Sequence, residues 1–365
     1  MSTQIDYSTT RIYYCRMPAS QPNNKPAPSE WENYRDNFSR HLISVARHLQ
    51  LSMMHMLMQD CGHSELRLGF APYITLIGEQ GRRLSELADT LAISRQACNQ
   101  TVRQLEQAGY VRSAVDPRDR RARQLQLTPA GQRLRRDGVR ILRKLDARFA
   151  AIIGAPAADE AARQLGRLYG ALSLNAGAAN EPAFLYAGIG GLLPRLSDYT
   201  VHRLMQLTRA RGHPQLKLSH GQVLTLIGPG GGRIQQIASI QDVSKQAISA
   251  IATELEALGY LRRETDPTDA RQVVLHFTPH GDQLIADSVA SVADLKAEFA
   301  EIIGESALRS LSASLHTLYH GLHLERDIFD YASHSDIGQL ADQLKRQLGE
   351  EASQTLARLL LNPSR

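Results

Sequence analysis

A chain of 365 residues with 42% hydrophobic and 22% charged side chains is long enough for two ordinary domains, each with a sizeable core. Its formal charge of +5 and isoelectric point near 9.1 admit a nucleic-acid partner without demanding one. No apolar run reaches the roughly 18 residues of a membrane span, and the first residues lack a signal-like apolar segment, so the expectation is a soluble, cytoplasmic protein with no membrane partner.

Residues 1–28 are polar and proline-containing and read as a flexible N-terminal arm. Ser29 and Glu32 have capping-box spacing, from which one long helix is expected to run to about Gln59. On it His41, His48 and His55 recur every seven residues, about 10 Å apart along the axis. That is too far for one metal ion, so they are read as interface or effector-pocket histidines and no metal site is expected. Cys15, Cys61 and Cys98 have no metal-like spacing either and are expected to be reduced thiols.

A helix over Leu66–Leu76 then leads into the most informative stretch. Leu84, Leu87, Ala88 and Leu91 form an apolar helical stripe, and Ala92-Ile93 makes a turn. Ser94 is placed to cap a second helix. On that helix Ala97, Cys98, Thr101, Val102 and Leu105 face one way, while Arg95, Gln96, Asn99, Gln100 and Arg103 face the other, with Gly109 as the stop. Tyr110–Val115 and Arg123–Leu127 alternate as strands around a tip, Asp116–Arg121, that holds Arg118, Asp119, Arg120 and Arg121. Thr128-Pro129 opens a long amphipathic helix to Ile153, and Ala157–Leu172 gives another. An amide- and arginine-rich helix face beside an arginine-tipped hairpin suits major-groove reading next to phosphate or minor-groove contact.

This block resembles the MarR (multiple antibiotic resistance regulator) family of winged helix-turn-helix transcription factors. The resembling residues are Ser94-Arg-Gln-Ala97, Leu105-Glu106 with Gly109-Tyr110, Asp119-Arg-Arg121, and Leu127-Thr-Pro-Ala-Gly131. The resemblance implies a mainly helical fold with small β wings and double-stranded DNA as partner. It also implies that the wing aspartate orients its arginine toward the minor groove.

After a linker-like stretch at 173–182 the pattern returns. A shift of 150 residues lays Leu66–Leu172 onto Leu216–Leu322 without a gap, with roughly 40 of 107 positions identical. Such a self-match is the mark of duplication. The expected organisation is therefore an arm (1–28), unit 1 (29–172), a linker (173–182), unit 2 (183–322) and a helical C-terminal extension (323–365). Family members implied by the resemblance are homodimers of one unit, so this chain reads as two protomers fused head to tail into a pseudo-dimer. The apolar faces of the terminal helices would bury one another, as in an isologous dimer. Glu325–Arg365 carries further apolar stripes, read as packing back on the core or mediating further oligomerisation.

The two copies differ in charge. Residues 82–136 hold twelve arginines against five acids, a net of +7, whereas 232–286 hold five basic residues against seven acids, a net of −2. In unit 2 the helix face offers Ser244, Lys245, Gln246 and Ser249, and the wing keeps Asp269 and Arg271, but Glu254 and Glu256 are expected to repel phosphate. Unit 1, with Arg123 added to its wing, is expected to be the stronger DNA-binding lobe on a pseudo-palindromic or asymmetric operator. Cys98 corresponds to Ile248 and so reads as a core residue. Gly228-Pro-Gly-Gly-Gly232 lacks the Gly-Lys-Ser/Thr of a phosphate loop and reads as a turn. No catalytic constellation stands out, and no cofactor is expected beyond the small aromatic (phenolic) acid effector that the resemblance implies. Arg47, His48, His55, Tyr199, His202 and Arg203 lie in the region such an acid would occupy. The competing reading is a ligand- or protein-binding scaffold whose DNA binding has degraded.

Overall fold

The computed structural model describes residues 28–91, 93–116, 119–172, 174, 188–241, 243–266 and 269–324. The arm before Pro28, nearly all of the linker and the helical extension after Leu324 lie outside the described residues.

The first repeat comprises α1 (Pro28–Arg35), α2 (Phe38–Gln59), a 3-10 turn (Leu68–Phe70), α3 (Ala71–Ile77), β1 (Arg82–Arg83), α4 (Leu84–Thr90), α5 (Arg95–Gln107), β2 (Val111–Asp116), β3 (Asp119–Leu127), α6 (Pro129–Ile153) and α7 (Ala155–Ala171). The second repeats the order with α8 (Ile189–Ala210), α9 (Leu218–Leu224), β4 (Gly232–Arg233), α10 (Ile234–Gln241), α11 (Lys245–Ala257), β5 (Leu261–Asp266), β6 (Asp269–Phe277), α12 (Pro279–Ile303) and α13 (Glu305–Gly321). Each repeat thus holds a helix-turn-helix followed by a wing, in a mostly helical fold with small antiparallel sheets.

Local chemistry sets most of the boundaries. Ser94 Oγ accepts the Ala97 N–H at 3.1 Å and starts α5. Thr128 Oγ1 accepts the Gly131 N–H, and Thr278 Oγ1 the Gly281 N–H, both at 3.1 Å. Gly109 and Gly259 end α5 and α11 with φ of 77° and 79°, a conformation that an L side chain resists.

Three expectations need correction. The single helix from Ser29 to Gln59 is broken at Asp36-Asn37, because Asn37 is extended and its side chain accepts the Arg40 N–H at 3.0 Å, capping a new helix. The helix expected over Leu66–Leu76 is shortened to the 3-10 turn plus α3. The wing is longer than its apolar alternation implied. β3 begins at Asp119, with Asp116 paired to Asp119, and β1 adds a third strand through Arg82 to Leu125. The glycine run behaves as a turn, with Gly228 bridging Gly231 ahead of β4.

Three apolar cores result. Two are local and lie inside the winged lobes, around Leu87, Cys98 and Leu105 in one and Ile237, Ile248 and Leu255 in the other. The third and largest draws on both repeats: Leu42 and Leu49 of α2, Phe149 of α6 and Leu165 of α7 pack with Leu192 of α8, Phe299 of α12 and Leu315 of α13. Polar contacts reinforce it. Asp146 of α6 accepts the Gly190 N–H in the first turn of α8 at 2.8 Å, a carboxylate at a helix N-terminus. Arg167 of α7 donates to the Ile303 and Ile302 carbonyls at 3.0 and 3.3 Å, a cation at the C-terminus of α12. Among the described residues no helix is long and apolar enough to cross a membrane.

Phe299 tests this shared core. It is fully buried, with its ring edge-on to Phe38 of the other repeat at 5.9 Å and stacked on Tyr199 at 6.2 Å. Phe299→Ala should lower stability by about 3–5 kcal/mol, in one urea transition that carries both repeats. A loss below about 1 kcal/mol, or two transitions of which only one moves, would show that the repeats do not share a core.

Candidate nucleic-acid interface

Each lobe presents its second helix on a buried seat. In α5, Cys98, Val102 and Leu105 are buried against α4 and the sheet, and the Cys98 thiol points at the Leu84 carbonyl, 3.8 Å away. Burial pushes that thiol above its ordinary pKa. Ile248 occupies the same place in α11 and is equally buried. Arg95, Gln96, Gln100 and Arg103 are exposed and Asn99 is half-buried, so the polar residues share the outer face. Ala97 departs from the expected inward set, because the whole first turn Arg95–Ala97 stands clear of the core. Ser94 and Ser244 are exposed but engaged as caps, which limits what their hydroxyls can offer a base.

Asp119, Arg120, Arg121 and Arg123 fall on β3, and Asp269 and Arg271 on β6. Arg118 lies outside the described residues. The wings therefore bring their basic positions onto a strand contiguous, through β2 or β5, with the helix that precedes it.

The second lobe spends its charge internally. Glu254 of α11 accepts from Lys217 Nζ at 2.7 Å and sits 2.9 Å from His220 Nε2. Those two partners hold its carboxyl below the usual range. Glu256 pairs with Arg263 at 2.8 Å, and Arg263 also donates to the Ser249 carbonyl at 2.8 Å. Both glutamates, expected from sequence to repel phosphate, are thus neutralised locally, which corrects their reading as bare negative charges. The consequence for the lobe is the same, since Arg263 is drawn to Glu256, Arg262 to Glu264 and Arg233 to Asp266. Lys245 is held by Gln235 at 2.9 Å, while Gln246 is exposed. In the first lobe Arg112 instead donates to the neutral Gln126 at 3.2 Å, and Arg82 to the Thr90 hydroxyl at 3.4 Å.

Both lobes are tied to their long helices by a histidine that sequence reasoning passed over. His63 Nε2 lies 2.9 Å from Asp137 of α6, and His213 Nε2 lies 3.1 Å from Asp287 of α12. The tyrosine that follows α11 joins this contact directly, and the one that follows α5 bonds the residue after the histidine. Tyr260 Oη is 2.9 Å from His213 Nδ1, and Tyr110 Oη donates to the Ser64 carbonyl at 2.7 Å. The return of Gly62-His63 as Gly212-His213 was the signal in the sequence.

Among the described residues one tether appears in a single copy. Arg40 and Arg47 of α2 reach across to the second lobe, donating to the Thr225 carbonyl at 3.2 Å and to Gln241 and the Ile240 carbonyl at 3.0 and 3.2 Å. Their counterparts Gly190 and Ser197 have no side chain long enough to return the contact. Of the other residues expected near an effector, Arg203 grips Glu298 through two nitrogens, His202 bonds the Asp198 carbonyl at 2.8 Å, and His48 lies 3.4 Å from Ser52. His55 is exposed. These groups are dispersed among separate partners.

A family model described as MarR family matches residues 72–122 and 215–272, one segment in each repeat. A curated relative from Thauera aromatica, whose name assigns it to transcriptional regulation of the hcr operon, is 28% identical over 100 residues. That match covers 27% of this chain, and the chain spans 60% of the relative's length. The crystal structure of a MarR-family transcriptional regulator from Rhodococcus sp. RHA1 matches 36% of this chain and 91% of its own, at 22% identity and a TM-score of 0.30. That of a transcriptional regulator from Thermotoga maritima matches 43% and 96%, at 18% identity and a TM-score of 0.25.

The buried face of α5 makes a chemical prediction. In the native protein, Cys61, half-buried and 3.2 Å from the Arg140 guanidinium, should be alkylated well before Cys98. Mass spectrometry of a timed iodoacetamide reaction reads this directly. Equal labelling of the two thiols would mean that α5 is not seated as described.

Proposed function

We propose that this chain, a MarR-family protein with two repeated units, is a DNA-binding transcriptional regulator that works as a single-chain pseudo-dimer, its first lobe the stronger DNA contact. The observation that carries the reading is the outer face of α5, where Arg95, Gln96, Gln100 and Arg103 stand exposed over an apolar seat. Such a face is built to enter a major groove, with backbone phosphate within reach of the following wing. Ser94, Asn99, Arg118, Asp119, Arg120, Arg121 and Arg123 complete the proposed contact in the first lobe. Ser244, Lys245, Gln246, Ser249, Asp269 and Arg271 make the weaker one in the second. The core shared by the two repeats supports the pseudo-dimer, because it gives each lobe a fixed mount, and recognition helices roughly 34 Å apart would meet successive turns of one DNA face. The regulatory name of the Thauera aromatica relative agrees with this reading.

The preference for the first lobe follows from charge. Each phosphate neutralised contributes about −0.9 to the slope of log K against log salt. Replacing Arg118, Arg120 and Arg121 together by Ala should flatten that slope by roughly 2 to 3 units if all three meet phosphate. Arg271→Ala should flatten it by no more than about 1. Footprints on the preferred operator should be strong over one half-site and faint over the other. Equal losses from the two wings on a symmetric palindrome would overturn the asymmetry, and salt-independent or absent DNA binding would favour a ligand- or protein-binding scaffold instead.

Effector response is part of the same proposal. A small phenolic acid held between the shared helical core and a lobe would act by biasing the lobe's angle, and Arg47 is well placed to report it because it already joins core to lobe. Calorimetry with a panel of phenolic acids should then give heat, with a matching loss of operator affinity. Silence in both assays across the panel would remove the effector from the proposal.

A further inference from the structure

Asp36, His316 and His320 place one ligand atom each within 4.8 Å of one another, at the seam between the repeats. His316 and His320 stand four residues apart on α13, so both imidazoles project from one face of the helix, their ring centroids 4.3 Å apart. That spacing is the one by which a helix offers two nitrogens to a single ion. Asp36 comes from the break between α1 and α2, 280 positions away in the chain, and its Oδ2 is 3.9 Å from His320 Nε2. Its other oxygen, Oδ1, is hydrogen-bonded to Nε2 of the buried His41, whose ring also packs 4.7 Å from that of Tyr319. A ligating carboxylate oriented by a fixed imidazole behind it is the outer-shell arrangement that metal sites use.

We propose that Asp36, His316 and His320 bind a divalent ion of the zinc class, with water completing the coordination, and that this ion clamps the last helix of the second repeat to the first helices of the first. Two imidazole nitrogens and one carboxylate oxygen match the borderline donor preference of zinc and its neighbours rather than calcium or magnesium. Ligand atoms around a tetrahedral zinc with bonds of about 2.0 Å lie about 3.3 Å apart. The present separations therefore close by rotation of side chains that are half-buried or exposed, with no movement of the core. The duplication sharpens the argument. At the positions equivalent to His316, His320, His41 and Asp36 the chain has Gly166, Gly170, Gly191 and Tyr186, so the equivalent positions carry neither histidine nor carboxylate. The site is thus a feature of this fused chain, single by construction, and it is independent of DNA binding.

The test uses the full chain freed of any histidine tag and titrated with Zn2+ by calorimetry and with Co2+ by visible absorption. One ion per chain should bind, with cobalt bands of a four- or five-coordinate nitrogen–oxygen site, and zinc should raise the melting temperature by roughly 5 °C at saturating concentration. His316→Gln and His320→Gln should each weaken zinc binding by about 100-fold or more, and Asp36→Asn by at least about 10-fold. His316 is exposed and His320 sits at the rim, so these variants should keep the parent circular dichroism and its melting temperature in chelator. Absence of saturable zinc binding by the parent chain would overturn the proposal. So would binding that persists unchanged in the His316→Gln/His320→Gln double variant, since the ion would then lie elsewhere.

Discussion

The structure depends on one requirement, that the long helices flanking each winged lobe be covered on their apolar faces. Leu42, Leu49, Phe149 and Leu165 of α2, α6 and α7 are fully buried in one cluster with side chains of α8, α12 and α13. Burying side chains of this size is worth about 1.5–3 kcal/mol each, so the shared core outweighs any surface contact between the repeats. Carrying both copies in one chain makes their packing intramolecular, so it does not depend on protein concentration. The lobes are then mounted on this core through matched joints, His63 to Asp137 on one side and His213 to Asp287 on the other.

Two repeats within one chain are under no obligation of symmetry. In a homodimer the two copies are identical, whereas here the two repeats differ in sequence. The first lobe is rich in arginine, while the second pairs basic side chains with acids, Arg263 with Glu256 and Lys217 with Glu254. Core-to-lobe contacts have diverged in the same way. Arg40 and Arg47 fasten the second lobe to α2, while Gly190 and Ser197 give the first lobe no matching fastening from α8. The lobe richer in arginine is therefore the one that receives no such contact from Gly190 or Ser197.

Much of this was legible in the sequence because it rests on short-range rules. The stripe Leu84, Leu87, Ala88, the cap at Ser94, the stop at Gly109 and the Thr128-Pro129 start all act within a turn or two of chain, and each element formed where those residues stand. The repeat itself was visible as a constant shift of 150 residues, and the burial of Cys98 followed from Ile248 at its equivalent. The failures share a cause. The break at Asn37 was masked by an apolar pattern that continues in phase across it, and β1 is too short to show alternation. The charges of Glu254 and Glu256 were counted correctly but assigned to the outer face alone, because their partners Lys217 and His220 lie more than thirty residues upstream and Arg263 lies on the next strand.

What the sequence determined by itself was the identity of the elements, their duplication and the difference in charge between copies, since periodicity, caps and composition are local properties of the chain. What only the tertiary structure decided was which side chains meet: that Arg47 reaches Gln241, that Asp146 seats the first turn of α8, and that Asp36 lies beside His316 and His320. A helical pattern states which face is apolar but not which partner will cover it. That choice is made by the packing of whole helices against one another, where residues hundreds of positions apart become neighbours for reasons no single stretch of sequence contains.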